Sequence, residues 1–100
     1  MSIWGPVARI ESEKRRLETL RYLARSGGYE AAASLLRVHL CRIGVPTLAD
    51  QMAACLAWLE EQELVTRRAE GPEAIARITA RGRDVAEGAA EHPGVLRPDP

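Results

Sequence analysis

The segment from Thr47 to Val65, TLADQMAACLAWLEEQELV, holds the side chains that bear most directly on what the chain can bind. It contains no lysine, arginine or histidine, and its carboxylates are Asp50, Glu60, Glu61 and Glu63. Gln51 can pair with adenine and an alanine methyl group can touch thymine, so the first turns have side chains suited to reading bases. No side chain in this segment can donate the pair of hydrogen bonds by which arginine or lysine recognises guanine. If this segment meets DNA, the contacts with the DNA phosphates would have to come from basic residues elsewhere in the chain.

Basic zones flank this acidic segment. Residues 9–42 carry eight basic and four acidic side chains, and residues 67–83 carry five basic and two acidic ones. The formal charge of the whole chain is zero, which argues against a polycation that coats nucleic acid without sequence preference. No Ser, His and Asp spacing and no glycine-rich phosphate loop indicates catalysis, so the sequence predicts a protein that is not an enzyme.

The two cysteines give no metal motif. Cys41 and Cys55 do not form a Cys-x-x-Cys pair, and His39 and Cys41 lie two apart on a predicted helix, hence on nearly opposite sides. We therefore expect no metal and no cofactor. Nothing resembles a signal peptide or a membrane span, so the sequence predicts a cytoplasmic protein without a membrane partner.

Apolar periodicity predicts three helices in the first two thirds of the chain, at about residues 6–25, 30–43 and 47–61. Thr47 is the predicted N-cap of the third helix. A projection at 100° per residue gives that helix an inward face made of Leu48, Met52, Cys55, Leu56 and Leu59. The opposite face is alanine-rich and acidic, and its members are Asp50, Ala53, Ala54, Ala57 and Glu61.

The last third of the chain predicts a hairpin and a short helix. LVTRRAE at 64–70 and AIARI at 74–78 are β-compatible and flank the turn residues Gly71 and Pro72. Thr79 is the predicted cap of a final helix over about residues 80–90. The tail EHPGVLRPDP contains three prolines and is expected to lie extended over the surface or to hang free.

This order of elements is that of a winged helix-turn-helix domain, whose third helix enters the major groove. LAWLEEQELV at 56–65 resembles the phrase that joins recognition helix and wing in ArsR-like and MarR-like regulators, with Glu63 where glycine is usual. ITARGRDVAEG at 78–88 resembles the phrase after the wing. Together with EKRRLETLRYLARSGGY and PGVLRP, these phrases are similar to small proteins of Mu-like phages and prophages that carry an ArsR-like winged-helix label.

The resemblance implies a mainly α fold with a small β-hairpin and a phage context, without a known target. It predicts an N-terminal arm over residues 1–10, a winged helix-turn-helix domain over 11–90 and a proline-rich tail over 91–100. The first functional hypothesis is a DNA-binding regulator of transcription that contacts double-stranded DNA. Its predicted DNA-binding residues are Thr47, Ala49, Asp50, Gln51, Ala53 and Ala54 at the groove, with Arg67, Arg68, Arg77, Arg37 and Arg42 on phosphates.

The second hypothesis is a protein-interaction module that packs through the alanine-rich acidic face of the third helix onto a phage or host protein. The chain has no phenylalanine and sixteen alanines, so its core is expected to be thin. A second copy would add stability, which favours a homodimer. The candidate interface residues are Trp4, Ala57, Trp58, Val95 and Leu96.

Overall fold

Residues 5–98 are described by the computed structural model, in which they form four α-helices and a three-stranded antiparallel sheet. The helices are α1 (Gly5–Arg25), α2 (Ala33–Arg42), α3 (Ala49–Glu61) and α4 (Ala80–Glu87). The strands are β1 (Glu30–Ala32), β2 (Val65–Glu70) and β3 (Glu73–Ile78), in the order β1-β3-β2. The prediction of a mainly helical fold with a small hairpin is confirmed. Trp4 and part of the predicted N-terminal arm lie outside the described residues.

The predicted hairpin forms with the expected turn. β2 and β3 pair in register from Val65 opposite Ile78 to Glu70 opposite Glu73. Gly71 has a φ of 60°, which suits the first position of a two-residue hairpin turn, and Pro72 follows with its fixed negative φ. Val65 and Ile78 are buried at the base of the hairpin, so this end is anchored in the core while the tip extends into solvent.

β1 departs from the prediction, which places residues 30–32 at the start of the second helix. Ala31 pairs with Ala76 of β3, and both residues are buried. Three residues are too short for a period-two pattern, and alanines favour a helix by propensity. The strand is therefore set by its partner β3 rather than by its own sequence.

Leucines from the first three helices form most of the core. The largest fully buried side chains include Leu17, Leu20 and Leu23 of α1, Leu36 and Leu40 of α2, and Met52, Leu56 and Leu59 of α3. The predicted inward face of the third helix is confirmed except at Leu48, which is 62% exposed. Leu48 precedes α3 in an extended conformation, so the helical projection does not apply to it.

The predicted cap of the last helix is confirmed, since the Thr79 hydroxyl accepts a hydrogen bond of 3.0 Å from the backbone N–H of Gly82. α4 ends at Glu87, three residues earlier than predicted, because Gly88 adopts a left-handed conformation with a φ of 82°. A Cβ on Gly82 would overlap the backbone of Leu64, so a glycine is required where α4 crosses the hairpin.

Residues 91–98 of the C-terminal tail lie over the surface of their own chain, which is the first of the two predicted arrangements, and do not hang free. The N–H of Leu96 donates to the carbonyl of Glu13, and Val95 is buried. The guanidinium of Arg16 donates to the carbonyl of Gly94 at 2.9 Å and stacks over the Trp58 ring at 4.0 Å. Val95 therefore has almost no surface left for a second copy.

None of the helices within residues 5–98 combines the length and the apolar character that crossing a bilayer requires.

Candidate interface on the third helix and hairpin

The outward face of α3 is the one that the helical projection predicted. Asp50, Ala53, Ala54 and Glu61 are exposed, and Ala57 is half-buried. Ala49 and Gln51 are exposed at the first turn. This α3 face, defined by these seven residues, carries two carboxylates and no basic side chain.

Thr47 does not belong to that face, which corrects two predictions. It is 3% exposed, and its hydroxyl accepts a hydrogen bond of 3.0 Å from Arg15 Nε and donates one of 2.8 Å to the carbonyl of Val45. The N-cap is Leu48, whose backbone N–H donates to Gln51 Oε1 at 2.8 Å. The Thr47 hydroxyl thus forms hydrogen bonds inside the chain, two residues before the helix begins.

Arg67 on β2 is bound by a carboxylate of α3. Its Nε and Nη2 donate to Glu60 Oε1 at 3.2 and 2.9 Å, and its backbone N–H donates to Glu60 Oε2 at 3.0 Å. The hydrogen bond from Arg67 holds the pKa of Glu60 below its ordinary value. Because the carboxylate stays ionised, it offsets the positive charge of Arg67.

Arg68 is held by two carboxylates. It donates to both oxygens of Glu30 at 3.1 and 2.6 Å and to Glu70 at 3.0 Å. The hydrogen bond from Arg68 lowers the pKa of Glu30, and the hydrogen bond to Glu30 raises the pKa of Arg68. Two of the three wing residues predicted to contact phosphates therefore already have anionic partners.

Strand alternation separates Arg68 and Arg77 from the α3 face. Successive side chains of a strand point to opposite faces of the sheet. Arg67 and Val65 lie on the face of β2 that packs toward the core, whereas Arg68 lies on the opposite, outer face. Arg77 lies opposite Thr66 and Glu30 on that same outer face. It is exposed, and within residues 5–98 it makes no ion pair.

The two arginines of α2 differ in their surroundings. Arg37 Nε donates to the carbonyl of Thr47 at 2.8 Å, which fixes the loop before α3. Arg42 is exposed, with no ion pair to any residue from 5 to 98. The five arginines predicted to contact phosphates share α2, α3 and the sheet with six carboxylates, namely Glu30, Asp50, Glu60, Glu61, Glu70 and Glu73. The candidate interface is therefore not a continuous positive strip.

A second cluster of arginines, outside the set predicted to bind DNA, lies beside α3. Arg15 and Arg16 of α1 line a groove of about 340 Å³ together with Gln51, Ala54 and Trp58 of α3. Arg15 is 7% exposed. Its spacing of four from Thr19 and eight from Leu23, both buried, places it on the inward face of α1, and this signal was available in the sequence.

The cysteines differ in access to solvent. Burial raises the pKa of the Cys55 thiol to about 11, and Cys41 is exposed on α2. In the part of the chain that the structure describes, no three His, Cys, Asp or Glu side chains are grouped so that they could hold a metal ion.

These features define a mainly helical domain whose third helix has an acidic exposed face and whose two β2 arginines are paired with carboxylates. The chain is 40% identical over 91 residues to the protein described as "Uncharacterized protein gp26" of Escherichia phage Mu, over 91% of this chain and 94% of that protein. It belongs to the family of this phage Mu protein, which confirms the expected Mu-like relationship. No protein-family model matches the chain.

Proposed function

We propose that this chain is a protein-interaction module of Mu-like phages and that its partner docks along the α3 face. The observation that carries the proposal is the pairing of Arg67 with Glu60 and of Arg68 with Glu30 and Glu70. A hairpin that grips DNA needs guanidiniums free to face phosphates. Here two of the three hairpin guanidiniums, those of Arg67 and Arg68, face carboxylates of the same chain.

The finer fold assignment that we propose is the winged helix-turn-helix. The order α1, β1, α2, α3, β2, β3, α4 is compatible with that domain, in which the third helix and the hairpin are the exposed recognition elements. A fold does not fix a function, because the same scaffold can present different side chains to different partners. In this chain the third helix presents alanine and carboxylate.

The α3 face suits a protein partner better than a duplex. Ala53, Ala54 and Ala57 leave room for a helix or strand to approach closely, since interaxial distance depends on the side chains at the contact. Asp50 and Glu61 at the rim can pair with arginine or lysine of the partner. The same two carboxylates would repel the phosphates on either side of a major groove.

The test is photocrosslinking from the α3 face. A photoreactive amino acid in place of Ala57 is expected to give a covalent protein adduct in cells in which a Mu-like phage that encodes the chain has been induced. The matched control carries the same group in place of Glu87, which is exposed on α4. Adducts from position 57 alone support the proposal, whereas an adduct with DNA, or equal adducts from both positions, contradicts it.

DNA binding is the second candidate, because Arg42 and Arg77 are exposed and unpaired within residues 5–98. A regulator that uses them would bind duplex DNA with an affinity that falls as the salt concentration rises. The logarithm of the binding constant should fall with the logarithm of the salt concentration, with a slope of about 0.9 per phosphate contact. Fluorescence anisotropy at two salt concentrations measures this slope. Replacing Arg42 and Arg77 with alanine together would then lower the slope by about two.

We further propose that the chain forms a homodimer through the start of α1. The residues from 5 to 11 are all exposed, and Val7 and Ile10 lie three apart on one side of the helix at 47% and 52% exposure. Large apolar side chains at this spacing form a stripe that a second copy can cover.

A further inference from the structure

We infer that the α1–α3 groove is a seat for a carboxylate side chain of the bound partner. The groove is lined by Ser12, Arg15 and Arg16 from α1 and by Gln51, Ala54, Cys55 and Trp58 from α3. Ala54 also belongs to the α3 face, so a partner on that face passes directly over the groove. The inference rests on the proposed function and adds the chemistry of the partner.

Arg15 is held rigidly with part of its guanidinium unused. Nε donates to the Thr47 hydroxyl at 3.0 Å and Nη2 donates to the carbonyl of Pro46 at 3.0 Å. Nη1 has no acceptor within residues 5–98. No buried side-chain nitrogen there lacks a partner, so Nη1 must reach solvent, and the groove is the opening that Arg15 lines. A fixed donor of this kind loses little entropy when an anion binds.

Arg16 is positioned by the tail and the indole. Its Nη1 donates to the carbonyl of Gly94, and its guanidinium lies over Trp58 at 4.0 Å. Neither Arg15 nor Arg16 has a carboxylate within ion-pair distance among residues 5–98, in contrast to Arg21, Arg67, Arg68, Arg81 and Arg97. Both guanidiniums favour the ionised form of Cys55 beneath the groove, against the burial that raises its pKa. Two uncompensated positive charges therefore meet at this groove.

Every other polar side chain that lines the groove can donate a hydrogen bond. Gln51 Oε1 accepts from the N–H of Leu48, which leaves its amide NH₂ to face a ligand. Ser12 has a hydroxyl without a side-chain partner in the described range. No carboxylate lines the groove. A set of donors with two positive charges and no acceptor anion is complementary to a ligand oxygen that carries negative charge.

The surroundings favour a single carboxylate over a chain of phosphates. Trp58 and Ala54 give the groove apolar walls, against which the methylenes of a glutamate can pack. Asp50 is exposed one residue before Gln51, and Glu61 lies on the same α3 face. These carboxylates raise the energy of a polyanion that crosses the groove, while a protein segment can pair them with its own cations.

The test is an NMR titration of the full chain with two peptides, acetyl-Leu-Glu-Leu-amide and its uncharged isostere acetyl-Leu-Gln-Leu-amide. The glutamate peptide is expected to shift the Nε–H signals of Arg15 and Arg16 and the indole N–H of Trp58. Its Kd should be about tenfold lower than that of the glutamine peptide, as charge-assisted hydrogen bonds predict. Equal responses to the two peptides, or shifts produced only by a DNA duplex, overturn the inference.

Two variants locate the binding. Arg16→Gln is expected to abolish the difference between the peptides. Ala54→Glu places a carboxylate at the mouth of the groove and is expected to do the same without removing the contact of Arg16 with the tail. Arg25→Gln, at the exposed end of α1, is the matched control and should bind like the wild type. Discrimination that persists in both groove variants overturns the inference.

The peptide titration and the crosslinking experiment separate the two proposals. A protein adduct at position 57 without any preference for the glutamate peptide means that the module docks its partner by other chemistry, so the groove inference alone is wrong. The absence of both results means that the proposed function is wrong as well.

Discussion

A single buried guanidinium joins α1 to the loop before α3. Arg15 donates to the Thr47 hydroxyl and to the carbonyl of Pro46, and Arg37 donates to the carbonyl of Thr47 from the α2 side. Because a charge taken out of water is costly unless its donors are satisfied, these hydrogen bonds set the path of the loop. The position of the first turn of α3 therefore depends on side chains from two other helices.

Thr47→Val should destabilise the fold. Valine keeps the shape of the side chain but leaves Arg15 Nε without its acceptor, so the free energy of unfolding should fall by about 1–3 kcal/mol in urea denaturation. Thr66→Val, at an exposed position of β2, is the control and should stay within about 0.5 kcal/mol of the wild type. An unchanged free energy for Thr47→Val would show that the buried hydroxyl is dispensable.

The stability of the tail contact should depend on pH through His92. Its Nε2 lies 3.0 Å from Gln62 Oε1, and its Nδ1 accepts from the N–H of Gly94, so the ring is neutral when both bonds form. Burial, with Arg81 and Arg16, lowers the pKa of His92. As pH falls through the unfolded-state pKa of about 6.5, the unfolded chain takes up the proton first and stability decreases.

We therefore expect the Tm of the wild type to fall more than that of His92→Gln between about pH 7.5 and 5.5. Glu18, Glu30 and Glu60 have lowered pKa values, so their contribution is lost only at lower pH, below about 4.5. Parallel changes in Tm for the two proteins would rule out a role for His92.

At the scale of elements, the hairpin is the part whose charge pattern departs from the DNA-binding hypothesis. β2 carries two arginines, but the fold brings Glu60 from α3 to one of them and Glu30 from β1 to the other. The pairs are exposed, so each contributes little to stability. Their main effect is to lower the positive electrostatic potential that the hairpin presents to an approaching partner.

Glu30→Gln combined with Glu60→Gln should raise the positive electrostatic potential at the hairpin. The double variant is expected to gain salt-dependent affinity for random duplex DNA, measured by fluorescence anisotropy, and to lose little stability because exposed ion pairs contribute little to it. Glu87→Gln with Asp84→Asn, which removes two exposed carboxylates from α4, is the charge-matched control. If both double variants gain the same affinity, net charge rather than pairing explains the result.

The sequence predicted the elements better than the site. Helical spacing identified the leucine core, and Gly71-Pro72 and Thr79 identified the hairpin and the last cap, since each of these signals is local. The pairing of Arg68 with Glu30 joins residues 38 apart in sequence, and β1 that carries Glu30 has no local signal. Contacts of this kind depend on the assembled sheet, so counting basic residues along the chain overstated the positive charge that the hairpin offers.

At the scale of the whole molecule, the C-terminal tail covers the Trp58 side of the domain. Gly94 lies against the Trp58 ring so closely that an added Cβ would overlap it. Gly94→Ala should therefore displace the tail and lower the free energy of unfolding by about 1–3 kcal/mol, with a shift in Trp58 fluorescence. Gly27→Ala, where a Cβ meets no atom within 4 Å, is the control, and equal effects would contradict the packing argument.

The proposed homodimer is testable by sedimentation velocity. Ile10→Glu places a charge in the exposed stripe of α1 and should reduce the sedimenting species from two chains to one. Ala8→Glu adds the same charge to the same turns on another side of the helix and should leave the mass unchanged. A wild type that sediments as one chain at all concentrations excludes this dimer.

The burial of the Cys55 thiol has a practical consequence. With its pKa near 11 and its side chain in the core, it is closed to maleimide reagents while the fold is intact, whereas Cys41 is open to them. The native chain thus accepts a spin label or fluorophore on α2 alone, and a second equivalent of label taken up on warming would report unfolding without any mutation.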